Sequence, residues 1–233
     1  MKKLKIILIF LLFLGFGISG AAAATIGLVE YGLNVDGVIF SANIFDLDFV
    51  TTPSGDNAPF DFSTGLGSFE VEIMGAGPHN VELFVDHEID EAINTFFNET
   101  GFATGAPAAG QSWEIDEPGF VDGDIFDNFK DSALDNGIGT SIFGDTTFPD
   151  DVSMAMGWDF DLAAGDTATV DFLLSLTAPT NGIYLTHTDP DSSASIYFSS
   201  ELTVTPIPEP ATILLAGTGL LGLLGLKKRR FKK

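Results

Sequence analysis

The stretch MAMGWDFDL at 154–162, the turn AAGD at 163–166 and TATVDFLLSL at 167–176 decide the fold class. Met154, Met156, Trp158, Phe160 and Leu162 recur at every second position, and Val170, Phe172, Leu174 and Leu176 do the same after the turn. A two-residue apolar period puts these side chains on one face of an extended strand, whereas a helix needs spacings of three and four. The stretch therefore predicts two strands and, with so short a turn between them, a β-hairpin. Upstream, Phe69, Val71 and Ile73, the turn from Gly75 to Pro78, and Val81, Leu83 and Val85 predict a second hairpin of the same kind.

Further strands are expected from Leu33 to Phe40, from Ile44 to Val50 and from Ile196 to Val204. Asp90 to Phe148 keeps no clean period: Glu91 to Asn98 suits a helical turn, Gly101 to Gly110 reads as a small-residue loop, and Phe120 to Leu134 mixes Phe with Asp. An excursion of this kind lies across one end or face of a sandwich. Composition agrees, with 22 Phe to fill a core and 26 Gly and 11 Pro to make turns. The expected fold is all-β: an antiparallel, jelly-roll-like β-sandwich with a short helical or irregular insertion, filling residues 25–205 as one ectodomain.

Charge is unevenly placed. Nine of the ten basic residues lie in the terminal segments, which leaves Lys130 as the sole Lys or Arg between residues 25 and 207. Of 33 acids only Glu209 falls outside that interval, so 32 carboxylates against one lysine give it −31. Such a segment repels phosphate backbones and anionic headgroups, which argues against nucleic acid as a partner. Solubility outside the cell explains the acids simply; collective binding of divalent cations explains them more sharply. With no cysteine, disulfides, thiol catalysis and zinc–thiolate sites are excluded.

Residues 1–24 have the three regions of a secretory signal peptide: basic Lys2, Lys3 and Lys5, an apolar run from Ile6 to Ile18, and a small-residue exit. Ala22 and Ala24 before Thr25 mark the expected cut by signal peptidase. At the other end, Pro206-Ile207-Pro208-Glu209-Pro210 precedes an uncharged run, 211–226, and the basic segment 227–233. The prolines withhold backbone donors from helix and sheet, so that stretch is expected to be extended. As a helix the run spans about 24 Å, enough to cross a slightly thinned bilayer. The basic residues are then expected to stay cytoplasmic, holding the precursor in the inner membrane with the ectodomain on the periplasmic side. Gly217-x-Gly219-x-x-Gly222 imitates a dinucleotide-binding fingerprint, but no strand precedes it, and its glycines read as helix-packing positions.

Pro-Glu-Pro, a short apolar helix and a terminal Arg/Lys cluster, in that order over residues 206–233, resemble the PEP-CTERM sorting domain of Gram-negative bacteria. The matching positions are Pro208, Glu209 and Pro210, with Arg229 and Arg230 in the cluster. The resemblance implies an exosortase, a multipass membrane enzyme, as a partner that recognises the tail and releases or transfers the protein to the cell surface or matrix. It also implies a host that makes extracellular polysaccharide.

Catalytic motifs fail one by one. His87-Glu88-Ile89-Asp90 opens like H-E-x-x-H, but Glu91 stands where the second histidine is needed, and His87 is expected at the surface of a strand end, far in sequence from His79 and His187. Gly139-Thr140-Ser141 lacks the final glycine of a nucleophile elbow. Calcium is the stronger cofactor reading, because Asp122, Asp124 and Asp127 gather with Asp116, Glu117 and Asp131, and hard cations take carboxylates in such loops. The EF-hand template nevertheless fails, with Phe126 at its fifth position, Asp127 at its sixth and Ala133 at its twelfth. Asp189-Pro190-Asp191 is a lesser acidic loop, and Trp113 or Trp158 offers a surface for stacking on sugars, although Trp158 falls on the apolar strand face. The expected function is non-enzymatic, that of an exported surface or matrix protein associated with exopolysaccharide. The alternatives are a carbohydrate- or calcium-binding module and, more remotely, a glycan-active hydrolase.

Overall fold

The computed structural model describes residues 24–43, 60–90, 98–118, 123–139 and 151–206. The expected strand from Ile44 to Val50, the helical turn from Glu91, the signal segment up to Ala23 and the tail from Ile207 lie outside these residues, apart from Asn98 at the end of that turn. Among the described residues, no helix is long and apolar enough to cross a membrane.

The fold is all-β, in two sheets. Strands β1 (Ile26–Val35), β2 (Val38–Asn43), β4 (Gly77–Ile89), β6 (Gln111–Asp116), β7 (Gly137–Ile138) and β8 (Ser153–Leu162) form one sheet in the order β2-β1-β4-β8-β6-β7. Strands β3 (Gly67–Met74), β5 (Thr100–Thr104), β9 (Thr167–Ser175), β10 (Tyr184–Asp189) and β11 (Ala194–Thr205) form the other in the order β3-β9-β11-β10-β5. All pairs are antiparallel except β6 with β7. Among the described residues one short helix, α1 (Ile125–Lys130), lies in the expected insertion.

The alternation at 154–174 builds the core as expected: Met154, Met156, Val170, Phe172 and Leu174 are buried together with Val81, Leu83, Val85 and Phe198 between the sheets. Each such side chain contributes about 1.5–3 kcal/mol by leaving water. Leu176 departs from the pattern, lying past the end of β9 and 57% exposed.

Neither expected hairpin is a hairpin. β8 pairs with β4 and β6, while β9 pairs with β3 and β11, so the turn at 163–166 carries the chain from one sheet to the other. β3 and β4 are parted in the same way, and the two arches stack, with β3 on β9 in one sheet and β4 on β8 in the other. Alternation is blind to this choice, because an apolar face is buried equally well beside its neighbour or opposite it. Gly75 and Gly77, at φ of 121° and 127°, supply the backbone conformations that swing β3 into β4 and that residues with a Cβ avoid.

The expected strand from Leu33 to Phe40 is also divided. Asp36 and Gly37 have φ of 53° and 79°, a two-residue turn of the twist-matched type, and Val35 pairs with Val38 across it. The supposed loop from Gly101 to Gly110 includes most of β5, and β6 follows at once.

Candidate functional site

Strand register sorts the acids of the first sheet. Its inward residues are mostly apolar, His87 and Gln111 excepted, while its outer face carries three rows: Glu30, Asp86, Ser153 and Asp116; Gly32, Phe84, Ala155 and Glu114; Asn34, Glu82, Gly157 and Ser112. Alternation alone would place the acids in these rows in water. The insertion overturns that, because α1 and the turn after it pack on this face, with Ile125, Phe129 and Leu134 joining Phe84 and Ala155 in a second, smaller core. Gly32 makes the room: a Cβ there would lie 2.7 Å from the Phe129 ring.

Hydrogen bonds fasten this lid to the strands. Asn34 Nδ2 donates to the Phe129 carbonyl at 2.8 Å, Asn128 Nδ2 donates to Glu114 Oε1 at 3.0 Å, and the Asp135 and Asp124 amides donate to Glu114 Oε2 and Asp116 Oδ2 at 3.0 and 2.9 Å. On the same face Glu82, Asp86, Glu114 and Asp116 are all buried. Burial pushes the Glu82 carboxyl up to about 8 and Glu114 up to about 7, since a charge that leaves water without a cationic partner is disfavoured. Asp86 is held well above its ordinary range by burial and then by the nearby Asp151, Glu88 and Glu30; Asp151 itself is pushed up to about 8, mainly by burial.

One constellation stands out. Glu114, Asp116 and Asp124 each present a carboxylate oxygen within 4.8 Å of the others. Of the residues singled out for calcium, the structure thus brings Asp124 and Asp116 together and adds Glu114, whose position in the polar phase of a strand concealed it. Asp127 turns away to Lys130 at 2.6 Å, and Asp131 ends α1 in solvent. Asp122 lies outside the described residues. Asp189, in the lesser acidic loop, accepts the Asp191 and Ser192 amides at 2.9 and 3.0 Å and so shapes the β10–β11 turn.

The histidines correct the expectation of a surface position. His87 and His187 point inward from opposite sheets and are 1% and 0% exposed. His187 Nε2 lies 2.7 Å from Glu99 Oε2 without the alignment of a hydrogen bond, and neither nitrogen of His87 has a well-aligned partner. Burial pushes both imidazoles down to about 3 and the Glu99 carboxyl up to about 8. The group is a neutral, buried polar cluster; sequence spacing held no signal for it, because the fold alone joins residues 87, 99 and 187.

Among the described residues no such lid covers the outer face of the second sheet. Phe102, 47% exposed, pairs with Thr186, whose neighbour on the other side is Tyr197, and Tyr197 meets Tyr184 edge-on with ring centroids 5.9 Å apart. Next to them Asp171 and Glu201 face each other across β9 and β11, beside a cleft of about 500 Å³ that reaches Gln111, Asn181 and the edge of Trp158. Trp158 is core, as expected, with its Nε1 donating to Ser200 Oγ at 3.0 Å. Trp113 is half-buried against the main core, and the aromatics on this outer face are Phe102, Tyr184 and Tyr197.

Residues 206–230 match the family model described as the PEP-CTERM protein-sorting motif. The tail therefore carries the sorting signal that its residues resembled, the mark of a precursor anchored in the membrane and sorted by an exosortase to the cell surface. No curated protein and no solved structure matches the chain.

Proposed function

We propose, from the sorting motif at residues 206–230, that this chain is an exported, non-enzymatic matrix protein, anchored by its tail until an exosortase processes it and then associated with extracellular polysaccharide at the cell surface. The signal peptide at 1–24 supplies export, and the basic cluster at 227–233 stops transfer and keeps the ectodomain on the periplasmic side. The sheet-crossing arches suit a jelly-roll-like wrapping, a rigid body whose surface, at −31 between residues 25 and 207, stays soluble outside the cell. The test is the intact mass of the protein recovered from its native host. The expected mature species starts at Thr25 and ends at or near Pro208-Glu209-Pro210, with any transferred group as added mass; replacing those three residues by alanine leaves the tail attached and the protein in the membrane fraction. Surface material that retains residues 211–233 overturns the reading.

A polysaccharide-binding role for the ectodomain is favoured by the open aromatic strip. Phe102, Tyr184 and Tyr197 present apolar ring surface to solvent beside hydroxyl, amide and carboxylate groups, the combination that stacks on and hydrogen-bonds to sugar rings. Affinity electrophoresis through the host's exopolysaccharide should retard the wild-type protein, and Phe102→Ala with Tyr197→Ala should abolish the retardation. Equal mobility with and without the polysaccharide sinks this role and leaves the sorting assignment standing.

A further inference from the structure

We propose that Glu114, Asp116 and Asp124 form a calcium site between β6 and the lid. The three carboxylate oxygens, within 4.8 Å of one another, fit a single cation at the 2.3–2.6 Å distances of calcium, whose loose coordination tolerates an irregular set of oxygens. Two ligands come from a rigid strand and the third from the residue that opens α1, so the ion would tie the lid to the sheet it covers.

A cluster of acids alone would not carry this. The second observation is the state of Asp116: 4% exposed, its Oδ2 accepts the Asp124 amide, and its Oδ1 has no well-aligned hydrogen-bond donor among the described residues. A buried carboxylate oxygen left without a donor is costly, and it calls for a cation or a proton. No salt bridge reaches Glu114, Asp116 or Asp124 among the described residues, and Lys130, the sole lysine of the ectodomain, is held by Asp127.

Two glycines make room for the Asp116 carboxylate. A Cβ on Gly139 would collide with Asp116 Oδ1, and one on Gly123 would come within 3.0 Å of Asp116 Oδ2, so side chains at either position would fill the place where the carboxylate sits. Glu114 spends one lone pair of each oxygen on the Asn128 and Asp135 donors and keeps the others. Asp124 is exposed, so water can complete the coordination shell from that side.

The experiment is calorimetric titration and thermal melting of the full chain in detergent at pH 7.5, stripped with chelator, with calcium, magnesium and sodium compared at one ionic strength. Saturating calcium is expected to bind with a stoichiometry of one and to raise the melting temperature by about 5 °C. Asp124→Asn, at an exposed position that leaves folding intact, should weaken binding about tenfold or more; Asp127→Asn, outside the triad, should leave it unchanged. Equal stabilisation by all three salts would mean screening only, and calcium binding that survives Asp124→Asn would mean another site. A melting temperature that rises on acidification but ignores calcium would mean a shared proton. Each of these three results overturns the assignment.

Discussion

The outer faces of the two sheets use the same residues to opposite ends. On each, acids occupy the polar phase of alternating strands: Asp86, Glu82, Glu114 and Asp116 on one, and Glu70, Asp171 and Glu201, side by side across β3, β9 and β11, on the other. On the second sheet they stand at a surface open to water. On the first, α1 and its flanking turn pack on the same face, and the acids there are buried out of water around the phenylalanines that anchor the lid. What distinguishes the faces is a segment inserted elsewhere in the chain, not the composition of their strands. A covered acidic face answers to pH and counter-ions; an uncovered one is free to meet a partner.

The comparison breaks first at Phe129. Phe129→Ala empties the centre of the small core under the lid and is expected to cost about 3–5 kcal/mol, whereas Phe102→Ala on the open face should cost less than about 0.5 kcal/mol. Urea denaturation of the two variants measures the difference. Equal costs would mean that the lid is not a packed element.

A smaller effect comes from pH. In the folded state Glu82, Glu99 and Asp151 hold their protons up to about 8 and Glu114 up to about 7, while the unfolded chain releases them near 4. The folded state binds more protons throughout that window, so stability is full below it and falls as pH rises towards 8. His87 and His187 act in the other direction: their folded values near 3 lie below the unfolded 6.5, so their contribution is lost as pH falls from about 6.5 to 3. The carboxyls outnumber the imidazoles and set the optimum at about pH 4–5. Thermal melts in chelator should show a loss of roughly 5 °C between pH 5 and pH 8. Glu82→Gln, which removes a buried charge whose Oε2 has no donor, should recover about 2–4 °C of this at pH 8. A profile unchanged by Glu82→Gln would place the pH response elsewhere.

The smallest expected change sharpens the contrast from the other side. Glu201→Gln, on the open face, should alter stability at pH 8 by less than about 0.5 kcal/mol, because its carboxylate never leaves water. A gain matching that of Glu82→Gln would show that summed repulsion across the ectodomain, not burial, governs both faces.

Much of the fold was legible because burial enforces period two. Met154, Met156, Val170, Phe172 and Leu174 were readable as core, and the strand expected from Ile196 to Val204 is β11 less its ends. Which strands pair was not readable, since an arch and a hairpin bury the same face, and the primed turn at Asp36-Gly37 was passed over although that dipeptide signals one. The insertion hid its helix because α1 has fewer than two turns, too short for a 3.6-residue period to declare itself. Asp116 and Asp124 belonged to a visible run of acids. Glu114, Glu82 and Asp86 were invisible as candidates, because an acid in the outward phase of a strand reads as solvated unless something is known to cover it.

The ladder between β9 and β11 continues to Thr205, paired with Thr167, and Pro208 follows only three positions later. An extended chain reaches no more than about 10 Å over that distance. Folded sheet thus stands almost against the processing motif, like a stopper at the end of a short cord. An enzyme acting on Pro208-Glu209-Pro210 must accommodate the bulk of the domain at the rim of its own site, or wait for the exposed end of β11 to peel back, so the clearance between domain and motif becomes a control on how fast the tail can be removed.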